Sequence, residues 1–394
     1  MNFDVTWLLL SLPLAFVLGW AASRTDFRQL RIENKRSPKA YFKGLNYLLS
    51  DQQDLAIDAF IEAVQNDPDT SELHFALGNL FRRRGDYDRA VRVHEHLLSR
   101  GDLKQDERGR AQHALSLDFL KAGLLDRAED ALSKLEGTRF EHQARLARLP
   151  IYERTRDWPQ AARIADQLQA AGQGDFSARI AHYLCEQAVP LSAPQAGAAS
   201  HAAAMALLQQ AIAKAPDASR AAITLSALQS QLGHSGDAYT TLAETLAKAP
   251  AVAPLIAHSL QTLAVQCGQA PQALALLQAV YAQSHSVDVL EAMIALQSHN
   301  ANMPVGKTSD GARQLYIQHL DKEPSLTVAT RWLAGEKLEH ELFHPQVQRA
   351  LDKAVKPLMQ YRCAACGFTA QRHFWQCPGC QTWDSYPAKR VEEL

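Results

Sequence analysis

Aromatic residues are scarce in this chain, 7% of 394 positions, while small and aliphatic residues carry most of its 47% hydrophobic content. Strands favour aromatic and β-branched side chains, so the mix argues against a sheet-based fold and for packed helices built on Ala and Leu. An excess of either charge is missing too: 41 Lys and Arg face 42 Asp and Glu. A balanced chain has no general electrostatic pull toward nucleic acid, and no nucleic-acid partner is expected. Cysteine is rare, six residues in all, too few to staple a chain of this length with disulfides. Four of the six lie between positions 363 and 380, which makes them a local site.

What is present begins with an uncharged run of 18 residues, Val5 to Ala22. As a helix it would measure about 27 Å, just enough to span a bilayer core. Trp7 and Trp20 stand near its ends, where amphipathic rings settle at the headgroup level. A cleaved signal peptide is the competing reading, since GWAAS offers small residues to a peptidase. Asn2, Phe3 and Asp4 bring no positive charge, however, and a retained anchor is expected. Arg24, Arg28, Arg31, Lys35, Arg36, Lys39 and Lys43 follow the run and no Lys or Arg precedes it. The positive-inside rule then places a short N-terminus outside and the bulk of the chain in the cytoplasm. The same cations either hold the first soluble helix against anionic lipid, at about 1 kcal/mol each, or only set topology.

The next segment repeats itself. Gly44, Tyr47, Ala56, Phe60, Ala63 and Pro68 recur 34 residues on as Gly78, Phe81, Ala90, His94 and Leu97, and more loosely as Phe119, Ala128 and Leu132. Glycine at a helix crossing lets two backbones approach, and the rings fill the space between neighbouring units. The turns GDYDRA, GLLDRA and RDWPQA also recur, with Gly85 and Gly123 as C-caps and Pro159 in the first turn of the next helix. Ala204, Leu208 and Ala211, then Ala238 and Leu242, then Ala273 and Leu277 continue the spacing. This pattern resembles the tetratricopeptide repeat (TPR). It implies seven repeats from Ser37 to about Ser284, with one or two degenerate pairs up to Pro345. Pro190 to Ser200 reads as a loop, either a hinge or a plain surface insertion, and His299 to Asp310 as a second loop. Such arrays bind proteins in a groove lined by the first helix of each pair. Phe75, Asn79, Arg82, His113, Leu117 and Lys121 are the expected groove residues, with Phe75 an apolar anchor and Asn and Arg gripping a peptide.

The sharpest chemistry is at the end. Cys363 and Cys366 form one C-x-x-C, and Cys377 and Cys380 form another after ten residues. Two facing knuckles supply four thiolates in a tetrahedron, suited to one zinc or iron ion. Gly367 and Gly379 are expected to supply the positive φ of the two turns. Tyr361, Phe368, Phe374, Trp375, Trp383 and Tyr386 would stand in for an ordinary core. The module resembles a shortened rubredoxin domain, the short gap favouring a structural role over electron transfer. Leu351, Val355 and Leu358 recur on one side of a preceding helix, Val347 to about Met359, and would dock the module onto the last repeats. Cys185 and Cys267 read as buried small apolar residues.

Two enzyme-like motifs fail on context. Gly306-Lys307-Thr308 lacks the glycine a phosphate loop needs five residues earlier, where Ala301 stands. His340-Glu341-Leu342-Phe343-His344 reads H-E-x-x-H, but Pro345 biases His344 away from helical geometry. No enzymatic activity is expected.

The order of anchor, repeats and knuckle pair resembles the lipopolysaccharide assembly protein B family of Gram-negative inner membranes. The resemblance implies an all-α architecture: an anchor at 1–23, a basic segment at 24–36, a TPR solenoid at 37–345, and a linker helix with a rubredoxin-like domain at 346–394. It further implies an inner-membrane adaptor that helps the membrane protease FtsH degrade the deacetylase LpxC. A lipopolysaccharide-sensing inner-membrane protein is implied as a partner of the span, and an oligomer is compatible with the family. A scaffold for envelope enzymes and an electron carrier remain the competing roles.

Overall fold

The computed structural model describes residues 13, 15–20, 39–300, 310–336 and 344–394. Most of the expected span and all of the basic segment 24–36 lie outside these residues. Residues 15–20 are helical and exposed, Phe16 and Trp20 among them. Among the described residues no helix is long and apolar enough to cross a membrane. Residues 301–309, with the Gly-Lys-Thr sequence, and residues 337–343, with most of H-E-x-x-H, are likewise outside.

The chain divides after Thr155 into two units. Unit 1 holds α1 (residues 39–49), α2 (Gln53–Asn66), α3 (Ser71–Arg84), α4 (Tyr87–Ser99), α5 (Gln105–Ala122), α6 (Leu125–Ser133) and α7 (Glu141–Thr155). The glycine argument holds at atomic detail. A Cβ on Gly44 would come within 2.7 Å of the Phe60 ring, and one on Gly78 within 2.5 Å of the His94 ring. These helices close so tightly that no side chain fits at the crossing. Phe60, Leu77, Leu80 and Phe81 form one core around it, and Phe119, Ala128 and Leu132 belong to the next. Gly85 (φ 91°) and Gly123 (φ 77°) end α3 and α5 in the left-handed conformation, as expected of C-caps. In the third turn Arg156 takes that position at φ 60°, where glycine would be unstrained.

Unit 2 begins with α8 (Trp158–Ala170) and α9 (Ser177–Leu191), followed by α10 (Ala198–Lys214), α11 (Ser219–Gln231) and α12 (Ser235–Lys248). It continues with α13 (Ala253–Gln266), α14 (Ala270–Ser284), α15 (Val287–Asn300), α16 (Asp310–Lys322), α17 (Leu326–Ala334) and α18 (His344–Val355). Ala204, Leu208, Ala211, Ala238, Ala273 and Leu277 are fully buried at helix contacts, which confirms the repeat frame. The expected pairs are α1/α2, α3/α4 and α5/α6 within unit 1, and α9/α10, α11/α12 and α13/α14 within unit 2. Two expectations are corrected. Pro190 lies inside the last turn of α9 and α10 starts at Ala198, so only residues 192–197 form the loop; its flanking helices pack along their length. Among the described residues the linker helix is His344–Val355, so it ends before Met359 and includes His344, which Pro345 was expected to bias away from helical geometry. Cys185 is buried and its thiol is pushed up to about 11 by that burial, so it is inert as a nucleophile.

Candidate metal centre and partner surfaces

The C-terminal module folds around its cysteines. Two short antiparallel strands, β1 (Tyr361–Arg362) and β2 (Thr369–Ala370), close the first knuckle, and a bridge between Gln376 and Trp383 closes the second. The Cys363 N–H donates to the Phe368 carbonyl at 2.9 Å, and the Cys377 N–H to the Thr382 carbonyl at 3.0 Å. In each knuckle the residue after the second cysteine must turn left-handed. Gly367 does so at φ 78°, and in the second knuckle the position belongs to Gln381 at φ 60°. Gly379 is therefore not the positive-φ residue expected of it; it lies one residue before the second cysteine of its knuckle.

The four sulfurs lie within 4.8 Å of one another. Cys363 Sγ is 3.8 Å from Cys380 Sγ, and Cys366 Sγ is 3.7 Å from Cys377 Sγ. A tetrahedron with metal–sulfur bonds of about 2.3 Å has edges of about 3.8 Å, so the set fits one zinc or iron ion without rearrangement. The electrostatics agree. Burial opposes the Cys363 thiolate, but hydrogen bonds with Ser385 and from the backbone of Cys366 and Ala365 draw the thiol down to about 6. Hydrogen bonding to the Thr382 hydroxyl and N–H lowers Cys380. The Phe368 N–H favours a Cys366 thiolate, but burial and the neighbouring sulfurs outweigh it and raise the thiol to about 12. A cation bound among them would favour the thiolate form of all four sulfurs.

Within unit 2 the module is bolted to the helices by residues the sequence did not single out for that task. Trp383 stacks on His182 of α9 at 4.7 Å and meets Trp158 and Tyr183 edge-on. His182 Nε2 donates to Asp384 at 2.8 Å while its Nδ1 lies 3.3 Å from the Arg220 guanidinium. Arg220 can only donate, so Nδ1 is the accepting nitrogen and Nε2 the donating one. Glu186 holds Arg220 at 2.6 Å. Leu255 of α13 packs on the cluster of Tyr361, Cys363, Cys377 and Tyr386. Further along, Arg390 forks onto both oxygens of Asp288 at 2.8 and 3.0 Å and lies 4.2 Å over the Tyr361 ring. Glu393 then accepts from the Val287 N–H and Glu392 from the Thr327 N–H. These carboxylates cap the first turns of α15 and α17, where orphan N–H groups and the helix dipole favour negative charge. Of the three expected docking residues, Val355 is buried and Leu351 and Leu358 are half-buried. Aromatic excess around the knuckles was the available signal for Trp383; its partner 201 positions away had none.

In unit 1 the expected groove residues have mostly been spent internally. Phe75 is 1% exposed and sits under the Arg110 guanidinium, so it is a core residue and not a surface anchor. The Arg82 guanidinium donates to Asp118 at 2.8 Å, to Asn79 at 2.5 Å and to the Ala114 carbonyl at 3.1 Å. Asp118, fully buried, also accepts from His94 Nδ1 at 2.5 Å. His113 stacks on Phe140, and burial with the nearby Arg82 charge lowers its pKa. Leu117 is half-buried and Lys121 exposed.

Comparison with known proteins agrees with this geometry. Residues 361–386 match the rubredoxin metal binding domain and residues 73–108 the tetratricopeptide repeat. Lipopolysaccharide assembly protein B of Escherichia coli K12 is 31% identical over 386 residues, covering 96% of each chain. The protein of the same name from Haemophilus influenzae is 29% identical over 399 residues, again at 96% of each. Helix pairs, tetrathiolate knuckles and this end-to-end likeness agree, and the chain belongs to the lipopolysaccharide assembly protein B family.

Proposed function

We propose that this protein is an inner-membrane adaptor in lipopolysaccharide assembly, which presents an LpxC-type deacetylase to an FtsH-type membrane protease. The name shared by its relatives supplies the process. The observation that carries the form of action is the docked module: a tetrathiolate knuckle pair spends Trp383, Asp384, Arg390, Glu392 and Glu393 on holding the repeats. A zinc or iron ion held by Cys363, Cys366, Cys377 and Cys380 would supply the folding energy of the knuckles and so brace the unit 2 helices they dock on. In this reading residues 1–23 anchor the chain with the N-terminus in the periplasm, 24–36 form a basic collar, and 37–345 form the cytoplasmic repeat array. The span meets a lipopolysaccharide-sensing membrane partner, and exposed Lys121, with the accessible edges of the half-buried Asn79, Arg82 and His113, faces the client. Tethering client and protease at one membrane raises their effective concentration without a new contact.

The test is the lifetime of the deacetylase in cells carrying either the full chain or residues 23–394 at equal abundance. The full chain should shorten it and the untethered form should not. Equal turnover with both would remove tethering from the account. Turnover indifferent to the whole protein would favour the scaffold role.

A further inference from the structure

The first helix of the repeats in unit 1 is built unlike an end cap. A solenoid's terminal helix normally turns a polar face to water. Tyr41, Leu45 and Leu48 of α1 pack inward on the core around Phe60, as a cap should. Phe42 and Leu49, however, are 61% and 86% exposed. Seven residues make nearly two full turns, so these two side chains share one outward face. Lys39 and Lys43 are exposed beside them, and residues 39–49 contain no Asp or Glu. Leu55, at the start of α2, adds a third apolar side chain at 46% exposure.

We infer that the outer face of α1 lies on an anionic lipid surface, with Phe42 and Leu49 in the headgroup boundary and Lys39 and Lys43 against lipid phosphates. Large apolar side chains flanked by Lys are the composition of an interfacial helix. Charge selects the occupant: the two cations of α1, with no acid in the helix itself and the exposed Asp51 and Asp54 only beyond its C-terminal end, suit a negative bilayer. The sequence supplies the reach, for 16 residues separate Ala22 from Lys39, at most about 55 Å of chain. The inference rests on the membrane-tethered reading. It adds that unit 1 is held at a fixed aspect to the bilayer, beyond being leashed to it.

The test uses the full chain reconstituted in vesicles of phosphatidylethanolamine and phosphatidylglycerol, with a benzophenone side chain at position 42, at 49, or at exposed Leu124 as control. Illumination should give lipid adducts at 42 and 49 and not at 124. The yield should fall about tenfold in neutral phosphatidylcholine vesicles and in the double variant Lys39→Glu, Lys43→Glu. Adducts to protein in place of lipid, yields equal to the control, or indifference to lipid charge would each overturn the inference. A chain that fails to float with the vesicles would sink the tether as well, whereas one that floats without adducts sinks only the interfacial helix.

Discussion

The two units use the same helix pair and hold it together differently. In unit 1, successive repeats are laced by charge: Glu72 with Arg110, Arg82 with Asp118, Glu95 with Arg127. Arg side chains also lie over Phe75, Phe81 and Phe119. In unit 2 the helix contacts are largely Ala and Leu, with ion pairs such as Lys214 with Asp166 and Arg331 with Glu291 between helices, and the C-terminal module lands on the N-terminal ends of α11, α15 and α17. The lesson is that one fold can reserve different surfaces. Unit 2 spends these helix ends on its own C-terminal module, and unit 1 spends its charges on joining successive repeats.

Removing a metal ligand should separate the units most strongly. Cys377→Ser should abolish metal binding and unfold the module, since structural zinc sites supply on the order of 10 kcal/mol. Metal analysis should show the loss, and circular dichroism should show most helical content retained. The opposite cut is Asp118→Ala, which strands Arg82 and His94 without their buried acceptor. It should cost unit 1 about 3–5 kcal/mol by denaturant titration and leave the metal in place.

A finer contrast uses glycine. Gly78→Ala drives a methyl into the His94 ring and should destabilise unit 1 by about 1–3 kcal/mol. Gly236→Ala in α12 meets nothing within 4 Å, and it should be neutral or stabilise unit 2 by up to about 1 kcal/mol. The smallest effect is one of pH and spans both units. Burial is the leading cause that holds His74 and His113 in unit 1, and His319 and His373 in unit 2, below the usual imidazole value. The unfolded chain then takes up protons first as pH falls through about 6.5. Stability should be fully present above that pH and decline below it. Melting temperatures across this range would check the slope, and His113→Gln should flatten it.

Much of this architecture was legible from residue spacing. Gly44 with Phe60 and Gly78 with His94 carry a fixed interval because a close crossing admits no side chain, and that constraint is local. The knuckles were legible for the same reason, as four ligands and one ion need only short loops. Phe75 was misplaced because an apolar residue on a first helix can face groove or core, and Arg110 from the next repeat decides. Gly379 was misread because the left-handed position follows the second cysteine, where a glutamine stands. The docking of Trp383 on His182 and of Arg390 on Asp288 joins distant positions through surface chemistry, which no periodicity announces.

The central claim is that the metal module acts docked on unit 2, and Trp383→Ala addresses it most directly. The substitution removes the stack on His182 and leaves all four cysteines. The variant should keep one metal ion per chain and its helical content, yet its module should become sensitive to protease and the deacetylase should persist in cells. Normal deacetylase turnover with a protease-sensitive, metal-loaded module would contradict the account.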